Sequence, residues 1–150
     1  MSIKVVAQNR KASHEYFLLE KYEAGLVLQG SEIKSIRAGQ ISLAEAYVSV
    51  DGHEAWLMDA HIAPYDQASY FNHEPRRPRK LLLHRSEIRD LWDEVRQKGV
   101  TVIPLRVYLK DGIAKVEISV AKGKKLYDKR QTIAKRDAER EIERSLRTRR

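Results

Sequence analysis

The chain has 150 residues, is 42 % hydrophobic and 33 % charged, lacks cysteine and carries a formal net charge of +8. This length predicts one domain around one core, and the missing cysteines exclude disulfides and thiolate metal sites. No apolar run reaches the roughly 18 residues of a membrane span, and Met1–Ala7 is too short for a signal peptide, so a cytoplasmic protein with no membrane partner is expected.

Charge is unevenly shared along the chain. Residues 122–150 hold twelve Lys and Arg against five acids, a net +7, which leaves the other 121 residues at +1. A cationic segment of this density is a polyanion-binding signature, whether the anion is nucleic acid or an acidic membrane surface. A tail that merely keeps the protein soluble is the simpler alternative.

In chain order, Tyr16–Leu28 reads as a strand broken near Gly25. Ser31–Ala38 reads as a short helix with Ser31 as N-cap, Ile33 and Ile36 inward and Gly39 as its stop. Ala46–Val50 and Ala55–Met58 flank Asp51-Gly52, which supplies the left-handed residues of a tight hairpin turn. Residues 63–79 contain three prolines and predict an exposed, irregular loop. Its Tyr65, Tyr70 and Phe71 lie near Arg76, Arg77, Arg79 and Lys80. That mixture suits base stacking and phosphate contact, or is simply a basic surface loop.

Over residues 86–98, Ile88, Leu91, Trp92 and Val95 recur at helical spacing, with Ser86 as N-cap and Gly99 as terminator. A second hairpin follows. Leu105, Val107 and Leu109 alternate with Arg106, Tyr108 and Lys110; Asp111-Gly112 turns the chain; and Ala114, Val116, Ile118 and Val120 alternate with Lys115, Glu117 and Ser119. A period of two on both sides of a turn means one buried and one wet face. Short strands in hairpins, two helices and no βαβ alternation give a mainly β fold with flanking helices, an antiparallel barrel or a sandwich.

The basic stretch has neither Gly nor Pro after Gly123, so nothing forbids a helix there. Pairs such as Glu141/Arg144 and Asp137/Arg140 would each add only about 0.2–0.5 kcal/mol. The apolar face (Ile133, Ala134, Ala138, Ile142 and Leu146) is thin, and a lone helix of this kind is marginal in water. The expectation is a body over 1–121 and a basic tail over 122–150, disordered alone and helical when bound.

Catalytic constellations do not emerge. The five histidines lack a short metal spacing, there is no P-loop, G-x-G-x-x-G or G-x-S-x-G, and no thiol exists. No enzyme, cofactor or metal is expected.

The segments Asn9–Ala12, His14–Tyr16, Tyr22–Leu26, Leu28–Gly30, Glu32–Gly39, Arg79–Leu83, Val120–Lys125 and Asp128–Arg130, together and in this order, resemble the small protein B (SmpB) family of tmRNA partners. The likeness covers almost the whole chain. It implies a small antiparallel closed barrel of OB type that binds the tRNA-like domain of tmRNA. It implies delivery, with elongation factor Tu engaged through tmRNA, to ribosomes stalled without mRNA in the decoding site, where the peptide is tagged and the ribosome released. A monomer is expected.

The resemblance assigns tmRNA contacts to Asn9, Arg10, Lys11, Glu23, Lys34, Arg37, Arg79, Lys80 and Leu82. Lys34, Arg37, Arg79 and Lys80 would hold phosphates. Glu23 would accept bonds from base amino groups or ribose hydroxyls, or instead cap or pair with a basic neighbour. Leu82 would pack on a base or sit in the core, the latter being expected. Lys122, Gly123, Lys124, Lys125, Tyr127, Asp128, Lys129 and Arg130 would lie in the mRNA channel against small-subunit rRNA. Ser31 stands where some members carry Trp, and Tyr127 where some carry His, so stacking is retained there and imidazole chemistry is not. A generic OB-type ribosome- or single-stranded-RNA-binding module is the alternative, with an RNA-processing enzyme on a basic anchor as a third.

Overall fold

The period-two alternation near the C-terminal end of the body becomes two long antiparallel strands, β8 (Val100–Lys110) and β9 (Ile113–Gly123). Asp111 and Gly112 join them at φ 50° and 81°, the two left-handed residues such a turn needs. Val107 faces Val116 and Leu109 faces Ala114 on one side, and Arg106 faces Glu117 and Tyr108 faces Lys115 on the other, which is not the wet face expected, since Tyr108 and Ser119 are buried too. The protein is described here by a computed structural model covering residues 3–65 and 72–124. Tyr70, Phe71, Lys125, Tyr127, Asp128, Lys129, Arg130 and the helical expectation for the tail lie outside the described residues.

The N-terminal strand β1 (Ile3–Gln8) pairs with β8, and β2 (Tyr16–Leu26) pairs with β9 from Tyr16↔Gly123 to Gly25↔Lys115. The expected break near Gly25 is absent: β2 runs through it. The strands of the first hairpin are as anticipated, β4 (Tyr47–Val50) and β5 (Ala55–Met58), but the tight Asp-Gly turn is corrected: residues 51–54 make the connection and Asp51 is not left-handed. Asp51 Oδ1 accepts the N–H groups of His53 and Glu54 at 2.9 and 2.7 Å, closing the turn, and Gly52 takes φ 91°. A short strand β7 (Arg79–Leu82) bridges β5 and β2.

The sheet order is β1-β8-β4-β5-β7-β2-β9, and β9 also pairs with β8, so the pairings return on themselves. Short strands β3 (Ile41–Ser42) and β6 (His61–Ile62) pair separately. The fold is thus mainly β with few helices.

Three helices flank the sheet among the described residues: α1 (Ala12–Glu15), α2 (Gly30–Arg37) and α3 (Arg85–Val95). Both expected caps are corrected by two positions. Gln29, not Ser31, caps α2, and His84, not Ser86, caps α3. Each is a reciprocal capping box, closed by Glu32 Oε1 on the Gln29 N–H at 2.8 Å and by Glu87 Oε1 on the His84 N–H at 3.0 Å. A carboxylate at the third helical position therefore decided where these helices begin, over the hydroxyls nearby. Ile36, Leu57, Leu81, Leu91, Val107 and Val116 lie in the buried core between sheet and helices, and a small second cluster seats α1 through Ala12 against Ile103 and Ala121.

Candidate nucleic-acid interface

Strand β2 lies between β7 and β9, and Gly25 is its crossing point, opposite Leu82 on one side and Lys115 on the other. A Cβ at Gly25 would stand 3.3 Å from Leu82 Cβ, tight enough to displace that side chain. The bare backbone gives this part of the wall its shape. Here an open groove of about 530 Å³ is lined by Glu23, Lys80, Leu82, His84, Arg85 and Lys115, among others. Leu82 is 56 % exposed, so the expected core placement is wrong: in β7 the inward positions are Arg79 and Leu81, and pleating turns Leu82 to solvent. Lys80 Nζ pairs with Oε1 of Glu54, the residue just before β5, at 3.0 Å.

Glu23 is an exposed carboxylate on a firm support. Tyr108 donates its hydroxyl to Glu23 Oε2, and Lys110 Nζ stands 3.6 Å from Oε1. The Tyr108 hydrogen bond lowers the Glu23 pKa below the usual carboxylate value, partial burial opposes it, and Lys110 and Lys115 assist the lowering. Burial raises the Tyr108 pKa, reinforced by its hydrogen bond and charge contact with Glu23, so the phenol stays protonated and donates. The Arg106 guanidinium covers the Tyr108 ring at 5.1 Å and reaches Glu117 at 3.4 Å. Glu23 thus pairs with basic and hydroxyl neighbours and still presents an ionised oxygen at the groove. Such an acceptor suits the amino and hydroxyl donors of bases and ribose.

Arg79 sits elsewhere than the resemblance implied. Its side chain is fully buried, with Nε 2.6 Å from Glu32 Oε2, Nη1 2.7 Å from Ala60 O and Nη2 3.0 Å from Pro75 O. Arg77 pairs with the other Glu32 oxygen. Burial works to raise the Glu32 pKa, but hydrogen bonds from Arg77, the Gln29 N–H and Arg79 outweigh it and the net shift is downward. Beside this cluster, buried His73 joins Ser31 Oγ and Ile62 O, each at 2.8 Å. Arg79 is therefore a bolt that ties residues 74–79 to α2, and its guanidinium is not presented to a phosphate. Glu32 and His73 were missed as structural partners. The capping-box position of Glu32 was the one available signal.

The remaining expected residues fall into other places. Asn9 bonds through Nδ2 to Pro104 O at 3.3 Å, and with Arg10 and Lys11 it lines a smaller groove of about 270 Å³ beside residues 41–44. No residue is shared between the linings of the two grooves. Lys34 and Arg37 are exposed on α2, with Lys34 Nζ 5.6 Å above the Tyr65 ring. Lys122 and Gly123 are still paired in β9, opposite Phe17 and Tyr16. Lys124 Nζ donates to Ser13 O at 2.8 Å and lies 5.2 Å over the Phe17 ring. Among the described residues no cluster of three or more His, Asp or Glu could hold a metal, and no helix is long and apolar enough to cross a membrane.

Comparison with known proteins places this architecture. The family model described as SmpB protein matches residues 6–148. The SsrA-binding protein of Desulforudis audaxviator is 62 % identical over 144 residues, 96 % of this chain and 94 % of that one. The SsrA-binding protein of Carboxydothermus hydrogenoformans is 54 % identical over 146 residues, covering 97 % and 98 %. A solved structure described as "tmRNA-SmpB: a journey to the center of the bacterial ribosome" superposes with a TM-score of 0.66 at 47 % identity, over 78 % of this chain and 82 % of that chain. The chain belongs to the SmpB family.

Proposed function

We propose that this protein binds tmRNA and serves trans-translation on the bacterial ribosome, without performing chemistry of its own. The observation that carries this is the meeting of Glu23, Lys80 and Leu82 in one groove of an SmpB-family chain. An acceptor, a cation and an exposed apolar side chain together match the donors, phosphates and base faces of a structured RNA. The pairing circuit of the sheet supports a small closed barrel of OB type as the body.

In this reading the body grips the tRNA-like domain through Glu23, Lys80 and Leu82, with Asn9, Arg10, Lys11, Lys34 and Arg37 as outlying contacts. The basic tail that follows β9, from residue 125 on, lies in the vacant mRNA channel against small-subunit rRNA, while Lys122 and Gly123 belong to the body. Elongation factor Tu is engaged through tmRNA. The protein acts as a monomer in the cytoplasm.

Affinity for the tRNA-like domain and for an unrelated folded RNA, compared at low and raised salt, tests the reading. Nonspecific phosphate binding falls steeply with salt, so preference for the tRNA-like domain should widen as salt rises. Equal affinity at raised salt would favour a generic RNA-binding module and overturn it.

A further inference from the structure

Arg85 and Arg89 stand at i and i+4 on α3, so both side chains leave the same face of the helix. With Gly52, His53, Glu54 and Ile88 they line a groove of about 520 Å³ between the β4–β5 turn and the first turns of α3. That groove shares His53, Glu54, Arg85 and Ile88 with the one holding Glu23, Lys80 and Leu82, so the two form a contiguous trough. The turn that makes its far wall is seated on Trp92: a Cβ at Gly52 would lie 3.5 Å from that indole.

The carboxylates of the trough are already engaged. Glu54 pairs with Lys80 at 3.0 Å, Glu87 accepts the His84 N–H at 3.0 Å, and Glu23 accepts the Tyr108 hydroxyl. Arg85 and Arg89 are exposed and, among the described residues, take part in none of the ion pairs. Two uncommitted guanidinium groups on one helix face, beside a groove that ends on an exposed leucine, are arranged for an anionic strand rather than for internal pairing. Four residues of α-helix rise about 6 Å, on the order of one repeat of an RNA backbone.

We propose that the trough carries a run of the sugar-phosphate backbone of the tRNA-like RNA, with Arg85 and Arg89 each holding a phosphate beyond the contacts at Glu23, Lys80 and Leu82. This rests on the tmRNA reading above and extends its interface across α3. A guanidinium fork matches a phosphate bidentately, so each arginine can both neutralise and orient it. The capping box of α3 engages the His84 and Glu87 amides, and the two arginine side chains carry the anion contacts along the helix beyond it.

The test uses the full chain, with R85Q/R89Q as the double variant and K98Q, beyond the end of α3, as the control. Binding to the tRNA-like domain is measured over a series of salt concentrations. Each lost phosphate contact flattens the log–log salt dependence by about 0.7–0.9, so the double variant should lose roughly 1.5 of slope and about tenfold in affinity at low salt. Its melting temperature and circular dichroism should match the parent, because both arginines are exposed, and K98Q should bind as the parent does. A double variant with the parent's affinity and slope overturns the proposal, as does a loss confined to binding of vacant ribosomes. A parent that shows no preference for the tRNA-like domain would instead overturn the tmRNA reading, and this proposal with it.

Discussion

The phenol of Tyr108 reaches across β9 to donate to the carboxylate of Glu23, joining two strands that do not pair with each other. Tyr108 is 3 % exposed, whereas the Glu23 side chain is 43 % exposed. The contact is therefore asymmetric: a fixed, buried donor holds one oxygen of a solvent-facing acceptor. Lys110 approaches the other oxygen at 3.6 Å, which leaves the carboxylate oriented yet able to accept further bonds.

Removing that donor should loosen the acceptor while sparing the fold. Tyr108→Phe keeps the ring beneath Arg106 and costs about 1 kcal/mol, one net hydrogen bond, or a fall of roughly 3 °C in melting temperature. Affinity for the tRNA-like RNA should fall roughly fivefold, the equivalent of about 1 kcal/mol. Glu23→Ala should weaken binding further with a similarly small change in melting temperature. A large loss of melting temperature in Glu23→Ala would mean that the residue serves the structure instead.

Buried Glu32 makes the opposite prediction. Removing one member of a buried ion pair strands the other, so Glu32→Gln and Arg79→Met should each destabilise by about 3–5 kcal/mol in urea unfolding. Glu32→Gln combined with Arg79→Met should cost much less than the sum of the singles, because no unpaired charge is left by that pair. Additive costs would refute the coupling. Any loss of RNA binding in Arg79→Met should track the loss of folded protein.

Acid titration should expose the same two carboxylates. Both Glu23 and Glu32 have lowered pKa values in the folded protein. Their stabilisation is therefore fully present above the unfolded carboxylate value of about 4.3, and is lost as pH falls through their lower folded values. Stability measured from pH 7 to pH 3 should fall on the acid side, and Glu32→Gln should flatten that fall. A parent whose stability is level down to pH 3 would contradict the assignment.

Leu82 separates packing from recognition. It is the exposed member of β7, so Leu82→Ala should change stability by less than about 1 kcal/mol, far from the 2–5 kcal/mol of a buried leucine. If its side chain meets an RNA base or sugar, affinity should still drop. Gly25→Ala should have a related effect, because the new Cβ would press on Leu82 at 3.3 Å. A destabilisation of Leu82→Ala at the size of a core substitution would overturn this division.

These two residue types also show why part of the site was hidden in the sequence. The hairpin strands were legible because alternation is local, and Asp111 and Gly112 have the predicted left-handed conformation, whereas of Asp51-Gly52 only the glycine does. β7 inverts the usual rule, burying Arg79 and exposing Leu82, because Arg79 finds its partner in Glu32, 47 positions away. No pattern within β7 reports that pairing. β1 was missed because its apolar residues do not alternate: Ile3 and Val5 are exposed while Val6 and Ala7 are partly buried beside β8. Glu23 and Lys80 were identified through resemblance, but the groove that unites them depends on which strands flank β2.

Division of labour between body and tail gives the last prediction, and the strand boundary sharpens how to test it. β9 continues through Gly123, and Lys124 reaches back to Ser13 O. A truncation at residue 121 would remove these body contacts along with the tail, whereas one that removes residues 125–150 spares them. The shorter chain should bind the tRNA-like RNA nearly as well as the parent, with a shallower salt dependence at most, yet fail to support peptide tagging on stalled ribosomes. A peptide of residues 122–150 should show mostly coil by circular dichroism, since its thin apolar face has nothing to pack against in water. Tagging that survives removal of residues 125–150 would place the ribosome-sensing contacts on the body, and a stable helix in the isolated peptide would contradict ordering on the partner.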